Sequence, residues 1–314
     1  MPKISRITVL LVKLAFLLAE KLVRTRRSQP IQRCGRTAVT EMYNDFYRFK
    51  EDPFNITPDP HYWFLTSRHQ DALNHLLFGI QERKGFIQLT GEVGAGKTTL
   101  CRVLLNELPE RFHTALILNP VLTETQLIRA ALAEFGISTK RIDKLTGLSL
   151  LNEFLLKVSA AGQDAVLIID EAQDMPDKTL EMARLLSNLE TERQKLLQIA
   201  LIGQPELRKK LQKTKFRQLA QRITIRYHLR RLSLDETTRY IQHRLHIAAQ
   251  HQNAASVVRF DADAVKEIHH YSGGTPRLVN AAADKALLAG YVNNTWWIDK
   301  RLARRAIKEL KEAA

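Results

Sequence analysis

Eight consecutive residues, Gly91-Glu92-Val93-Gly94-Ala95-Gly96-Lys97-Thr98, restrict what this 314-residue chain can become more than any other stretch. They match G-x-x-x-x-G-K-[ST], a turn whose glycines let the backbone approach an anion in dihedrals that a side chain forbids. The flanks agree. Residues 86–90, Phe-Ile-Gln-Leu-Thr, are short, apolar and bounded by Gly85, the pattern of a buried strand, and 99–105 read as a helix. A strand, a glycine turn and a helix start bring several backbone N–H groups and the positive end of a helix dipole to one point. Residues Gly91, Glu92, Val93, Gly94, Ala95, Gly96, Lys97, Thr98 and Thr99 are therefore expected to cradle the phosphates of ATP. Lys97 would reach the β- and γ-phosphates, and Thr98 would offer its hydroxyl to Mg²⁺.

Around this turn, strands alternate with helices. Residues 114–118, 165–169, 199–202 and 223–227 read as further strands, and 67–82, 123–135, 148–160 and 178–192 as helices. The strand at 165–169 is apolar throughout, as in a parallel strand covered on both faces. The alternation predicts an α/β fold, a three-layer αβα core on a parallel five-stranded sheet with right-handed crossovers. From Ser233 the strand pattern stops. Residues 235–250, 262–271, 277–291 and 299–313 read as helices, the first capped by Ser233 or Asp235. Three regions follow: a basic extension over 1–41, a nucleotide-binding core over 42–230, and a small all-helical lid over 231–314.

A hydrophobic content of 45% and a charged content of 26% are ordinary for a globular protein. The net charge of +15 is uneven: residues 1–40 carry nine Lys/Arg against one acid, leaving the remainder only mildly basic. Total charge is thus poor evidence for nucleic-acid binding. The apolar run 7–19 is broken by Lys13 and falls short of the ~20 residues that a spanning helix needs. With Arg24, Arg26, Arg27, Arg33 and Arg36 it reads either as a basic membrane-surface anchor or as sequence upstream of a true start at Met42. Cys34 and Cys101 have no metal-ligand spacing and form no disulfide framework; they suit a reducing cytoplasm, where ATP is available. Residues 43–64 are dense in aromatics and prolines. They read as an extended segment that packs on a larger body or closes over an adenine ring.

The chemistry falls at strand ends. Asp170 and Glu171 follow an apolar strand at its carboxyl end, where open α/β sheets place their ligands. Asp170 would hold Mg²⁺ through water, and Glu171 would polarise the water that attacks the γ-phosphate. A protein that only binds nucleotide does not need the second acid, so the pair argues for hydrolysis. Gln204 ends the next strand and would contact either that water or a phosphate oxygen. The stretch 208–226 is strongly basic. Arg222, with Arg217 as the other choice, would reach a neighbouring copy's γ-phosphate as an arginine finger. Gly273-Gly274-Thr275-Pro276-Arg277 opens a helix, and Arg277 would point from the lid toward the nucleotide.

Phosphate loop, Asp-Glu pair, polar strand-end residue, finger arginine and Gly-x-Pro-Arg helix together resemble the AAA+ ATPases. A closer resemblance lies in Tyr43, Phe46, Phe49, Asp52-Pro53-Phe54 and Thr57-Pro58-Asp59-Pro60, with Asp170-Glu171-Ala172-Gln173, Gly203-Gln204-Pro205-Glu206-Leu207 and Gln221-Arg222-Ile223. These are similar to the ExeA family of secretion and type IV pilus-assembly ATPases, and most similar to its short MshM-type members. The resemblance implies a homo-oligomer, with a ring as one arrangement, working with secretion or pilus-assembly proteins at the cytoplasmic face of the inner membrane. The competing resemblance is to the DNA-associated transposition helpers TniB and TnsC, for which the basic stretch would face DNA.

Overall fold

The computed structural model describes residues 43–55, 60–192, 194–249 and 258–312. The expectations for the apolar run 7–19, the arginines of 24–36, Cys34, a start at Met42 and Thr57-Pro58-Asp59 lie outside these residues.

Five strands, β1 (Phe86–Gly91), β2 (Phe112–Ile117), β3 (Asp164–Ile169), β4 (Leu197–Gly203) and β5 (Ile223–Leu229), form one parallel sheet in the order β2-β3-β4-β1-β5. β1 is paired on both sides, with Leu89 opposite Ile202 of β4 and Tyr227 of β5. β1, β3 and β4 are buried along their whole length, which accounts for their unbroken apolar runs. Their side chains alternate between two cores. Ile87, Leu89, Val166, Ile168, Ala200 and Ile202 face α1 (Ser67–Gln81) and α2 (Lys97–Glu107). Phe86, Leu167, Ile169, Ile199 and Leu201 face α3 (Glu124–Glu134), α4 (Lys144–Ala160) and α5 (Asp177–Leu186). The loop after β1 and the ends of β3 and β4 thereby open on the same edge of the sheet.

Two local expectations are corrected, and one stretch carries helices that the sequence reading left unassigned. The helix read over 178–192 ends at Leu186. The chain turns back there: Ser187 Oγ donates to Arg184 O, and a bridge pairs Glu190 with Lys195 ahead of β4. Two short helices, α6 (Pro205–Leu211) and α7 (Arg217–Arg222), occupy the basic stretch. Their buried Leu207, Leu211 and Leu219 are too sparse among cations to give a readable period. The lid is also not wholly helical. Besides α8 (Leu234–Ala248), α9 (Ala262–Ser272), α10 (Pro276–Val292) and α11 (Lys300–Glu312), Arg259–Phe260 (β6) pairs in parallel with Trp297–Ile298 (β7). Two residues each are too few to show a strand pattern.

The lid has its own core, and the aromatic segment belongs to it. Tyr43, Tyr47, Phe49 and Phe54 are buried among lid residues such as Leu245, Ile268 and Leu287. Tyr47 Oη donates to Leu287 O at 3.0 Å, and Tyr43 Oη donates to Asp284 Oδ1 at 2.7 Å. Gly290 leaves room for this ring: a Cβ there would lie 2.5 Å from Tyr47 Oη. The start of the described chain is therefore a strap across the lid. Among the described residues no helix is long and apolar enough to cross a membrane.

Candidate functional site

The turn after β1 is built as its sequence requires. Gly94 and Gly96 have φ of +75° and +92°, the left-handed region that glycine enters without strain. Gly96 caps α2 and offers no side chain to its first amides. In contrast, α1, α3, α4, α8 and α9 are each capped by the side chain of Thr66, Thr123, Asp143, Ser233 or Asp261. The first N–H groups of α2 have no partner within the helix, which suits an anion as the cap. Lys97 Nζ curls back to donate to the carbonyls of Gly91 at 2.9 Å and Glu92 at 3.0 Å.

β3 delivers the acids to the same place. Thr98 Oγ1 donates to Asp170 Oδ2 at 2.7 Å, and the Glu171 amide donates to Asp170 Oδ1 at 2.9 Å. Glu171 sits at φ +50°, an uncommon conformation for a non-glycine residue at a strand end. Its Oε2 accepts from Gln173 Nε2 at 2.8 Å and from Gln204 Nε2 at 3.2 Å. Gln173 Oε1 in turn accepts from the Gln204 amide at 2.9 Å, so one side chain ties the ends of β3 and β4 together. Gly203 permits this, since a Cβ there would lie 2.7 Å from Gln173 Oε1.

These groups fit a polyphosphate with a divalent cation. Burial holds the Lys97 ammonium below the usual lysine range, against the attraction of Glu171 and Asp170. Burial likewise pushes the Asp170 carboxyl up, against the Thr98 hydroxyl and the Glu171 amide. An added anion would favour charged Lys97, and an added cation would favour ionised Asp170. Thr98 and Asp170 are hard oxygen donors, as Mg²⁺ prefers. Among the described residues no group of three His, Cys, Asp or Glu side chains is arranged to hold a metal. A cation at this point would take most of its ligands from phosphate and water.

Over the turn lies a cleft of about 430 Å³, closed on one side by Tyr62, Trp63, Phe64 and His69 and on the other by lid residues including Tyr240 and Arg277. Arg277 is packed against the turn, where a Cβ on Gly94 would lie 2.6 Å from its own Cβ. Lys97, Thr98, Glu171 and Arg277 all line this cleft. Arg222 is held elsewhere, donating to Ser187 Oγ at 3.0 Å and to Asn188. Arg217 is exposed.

Residues 80–211 match the AAA domain family. Over 258 residues, 81% of this chain, the sequence is 45% identical to general secretion pathway protein A of Aeromonas hydrophila. The chain belongs to the AAA+ family, in its ExeA type. It spans 46% of that relative, about half its length. The fold is also that of the Aeropyrum pernix ORC2 protein in its ADPNP–ADP complexes, with a TM-score of 0.61, 16% identity, and 83% of this chain and 72% of that one covered. Cdc6p from Pyrobaculum aerophilum gives a TM-score of 0.60 at 18% identity, covering 85% of this chain and 70% of that one.

Within this AAA+ site two groups had no role in the sequence reading. Gln173 belongs to the Asp-Glu-Ala-Gln run, but only its contact with Gln204 reveals a task. His69 is buried beneath the turn, its Nδ1 2.7 Å from Thr66 Oγ1 and its Nε2 3.4 Å from Ala95 O. Burial lowers its pKa below the ordinary 6.5, outweighing the Ala95 carbonyl and Glu236. The unfolded chain therefore takes up the proton first on acidification. Stability is expected to fall as pH drops from 6.5 through the lowered value, and to be retained above 6.5. Urea midpoints for wild type and His69→Asn between pH 5 and 7.5 check this: the variant should show the shallower slope.

Proposed function

We propose that this chain is a Mg²⁺-dependent ATPase that works as an oligomer in the assembly of a secretion or type IV pilus machine. The observation that carries the reading is the Thr98–Asp170 bond beside a Glu171 carboxylate held by two glutamines. Lys97 and the first amides of α2 bind the phosphates. Thr98 and Asp170 would hold the cation, whose chemistry would be to neutralise charge developing on the phosphate oxygens. Glu171 accepts a proton from the attacking water. Gln204 Nε2 steadies that carboxylate and would contact the same water or a phosphate oxygen. Arg277 reports phosphate state to the lid, and Arg222 of one copy completes the site of the next. The nucleotide-bound ORC2 likeness supports the fold's suitability for adenine nucleotides, and the printed name of the Aeromonas relative supports the secretion setting. Action at the cytoplasmic side of the inner membrane follows from that setting.

A second reading, a DNA-associated ATPase, is favoured by one surface. Arg208, Lys209, Lys213, Arg217 and Arg226 are all exposed along α6, the link after it, α7 and β5. Phosphate release from ATP, measured with and without Mg²⁺ and with duplex DNA across a salt series, separates the readings. Mg²⁺-dependent release indifferent to DNA is the expected outcome. Stimulation by DNA that falls steeply with salt would move the assignment to the second. Absence of both nucleotide binding and release would remove the ATPase assignment.

A further inference from the structure

The cleft is lined by a buried cation that the hydrolytic chemistry does not use. Arg244, on α8, is 5% exposed and lines the cleft. Its guanidinium carbon lies 4.6 Å from the Tyr62 ring centre and 5.7 Å from that of Tyr240. Nη1 donates to Tyr240 Oη at 2.9 Å, and Tyr240 Oη donates to Asn280 Oδ1 at 2.9 Å. Nη2 donates to the Asn55 carbonyl of the strap at 3.3 Å, and Asn280 Nδ2 reaches the same oxygen at 3.4 Å. These partners are all neutral. Arg244 Nε, also buried, has no hydrogen-bond partner among the described residues.

A buried guanidinium is costly when its donors are unmet. The aromatic faces offset part of that cost. Bracing the strap against the lid uses one donor on each terminal nitrogen and does not call on Nε. The Nε–H is left unmet, on a residue that lines the cleft. The network around it is rich in donors: the Asn55 carbonyl already accepts two, and Asn280 Oδ1 accepts from Tyr240. Such a wall suits an acceptor atom and offers little to an exocyclic amine. Position agrees. Asn280 lies one helical turn along α10 from Arg277, which packs on the phosphate turn, so the network sits beyond the phosphate end.

Resting on the nucleotide reading above, we infer that Arg244 is a base-reading residue, its buried Nε–H donating to a ring-nitrogen acceptor of the purine bound in this cleft. Tyr62 carries the cation on its face, and Tyr240 with Asn280 fixes its orientation.

The test is equilibrium binding of ATP, 1-deaza-ATP, 3-deaza-ATP and 7-deaza-ATP to the full chain and to Arg244→Met and Arg244→Lys, with circular dichroism as the control for folding. Each analogue replaces one ring nitrogen by C–H. The full chain should bind one of the three about 10-fold or more weaker than ATP, the loss expected of a charge-assisted hydrogen bond. Both folded variants should bind that analogue and ATP alike, since Lys keeps the charge but lacks the Nε–H. Equal binding of ATP and all three analogues by the full chain would overturn the proposal, and so would variants that retain the wild-type discrimination. The analogue series on the unmodified chain decides the matter even if the Met variant does not fold. Failure to bind ATP at all would instead overturn the nucleotide reading on which the proposal rests.

Discussion

Glu171→Gln is expected to lower the rate of ATP hydrolysis by about 10²- to 10⁴-fold while leaving ATP affinity close to wild type, the loss associated with removing a general base. The asymmetry follows from the geometry. The proposed phosphate grip consists of the turn amides, Lys97 and Thr98, none of which depends on Glu171 for its position. An amide at 171 keeps the size of the side chain and can still accept from Gln173 and Gln204 through its oxygen, so the ends of β3 and β4 stay tied. It can no longer take a proton from water. Single-turnover hydrolysis together with equilibrium ATP binding checks this. A variant that hydrolyses as fast as wild type would remove Glu171 from the role of base, and one that loses binding would mean that the carboxylate supports the turn itself.

Arg222→Ala is expected to lower hydrolysis by about 10³-fold or more if its guanidinium completes a neighbour's site, since an arginine finger contributes on the order of 10³–10⁵. Within its own copy Arg222 is anchored at the end of α7 to Ser187 and Asn188, and it is absent from the lining of the cleft. A subunit's own arginine therefore does not serve its own nucleotide in this conformation. Mixing provides the decisive arrangement. Arg222→Ala has an intact base and lacks the finger; Glu171→Gln has the finger and lacks the base. Each alone should be nearly inactive, and a mixture should recover activity, because sites that combine a Glu171 from one variant with an Arg222 from the other are complete. No recovery, with association of the two variants verified by light scattering, would place the finger elsewhere. The same pairing with Arg217→Ala then tests the remaining choice.

The parts of this protein that were legible before its structure are those built from neighbours in sequence. The phosphate turn is one example, with its glycines, Lys97 and Thr98 all within a few residues. The run 165–169 followed by Asp170-Glu171 is another, since burial on both faces forces a continuous apolar stretch and the acid marks where it ends. Less was visible where apolar positions were diluted. α6 and α7 were hidden because a few leucines hold them down among lysines and arginines. β6 and β7 are shorter than any detectable period. The segment from Tyr43 shows the limit most plainly: its aromatic density announced that it packs, but not that it packs on the lid.

Sequence alone determined the strand–turn–helix with its left-handed glycines, the paired acid at the end of β3 and the alternation that yields a parallel sheet. Each of these is specified by local dihedral freedom, dipole direction and burial period, which act over a few residues. Only the tertiary structure decided which distant groups meet. Sheet register brings Gln204 to Gln173 and Glu171 across 31 and 33 residues. The docking of lid and strap stacks Arg244 on Tyr62 and places Arg277 against Gly94. Those meetings depend on how whole elements settle against one another, through packing that no single residue encodes in its own surroundings.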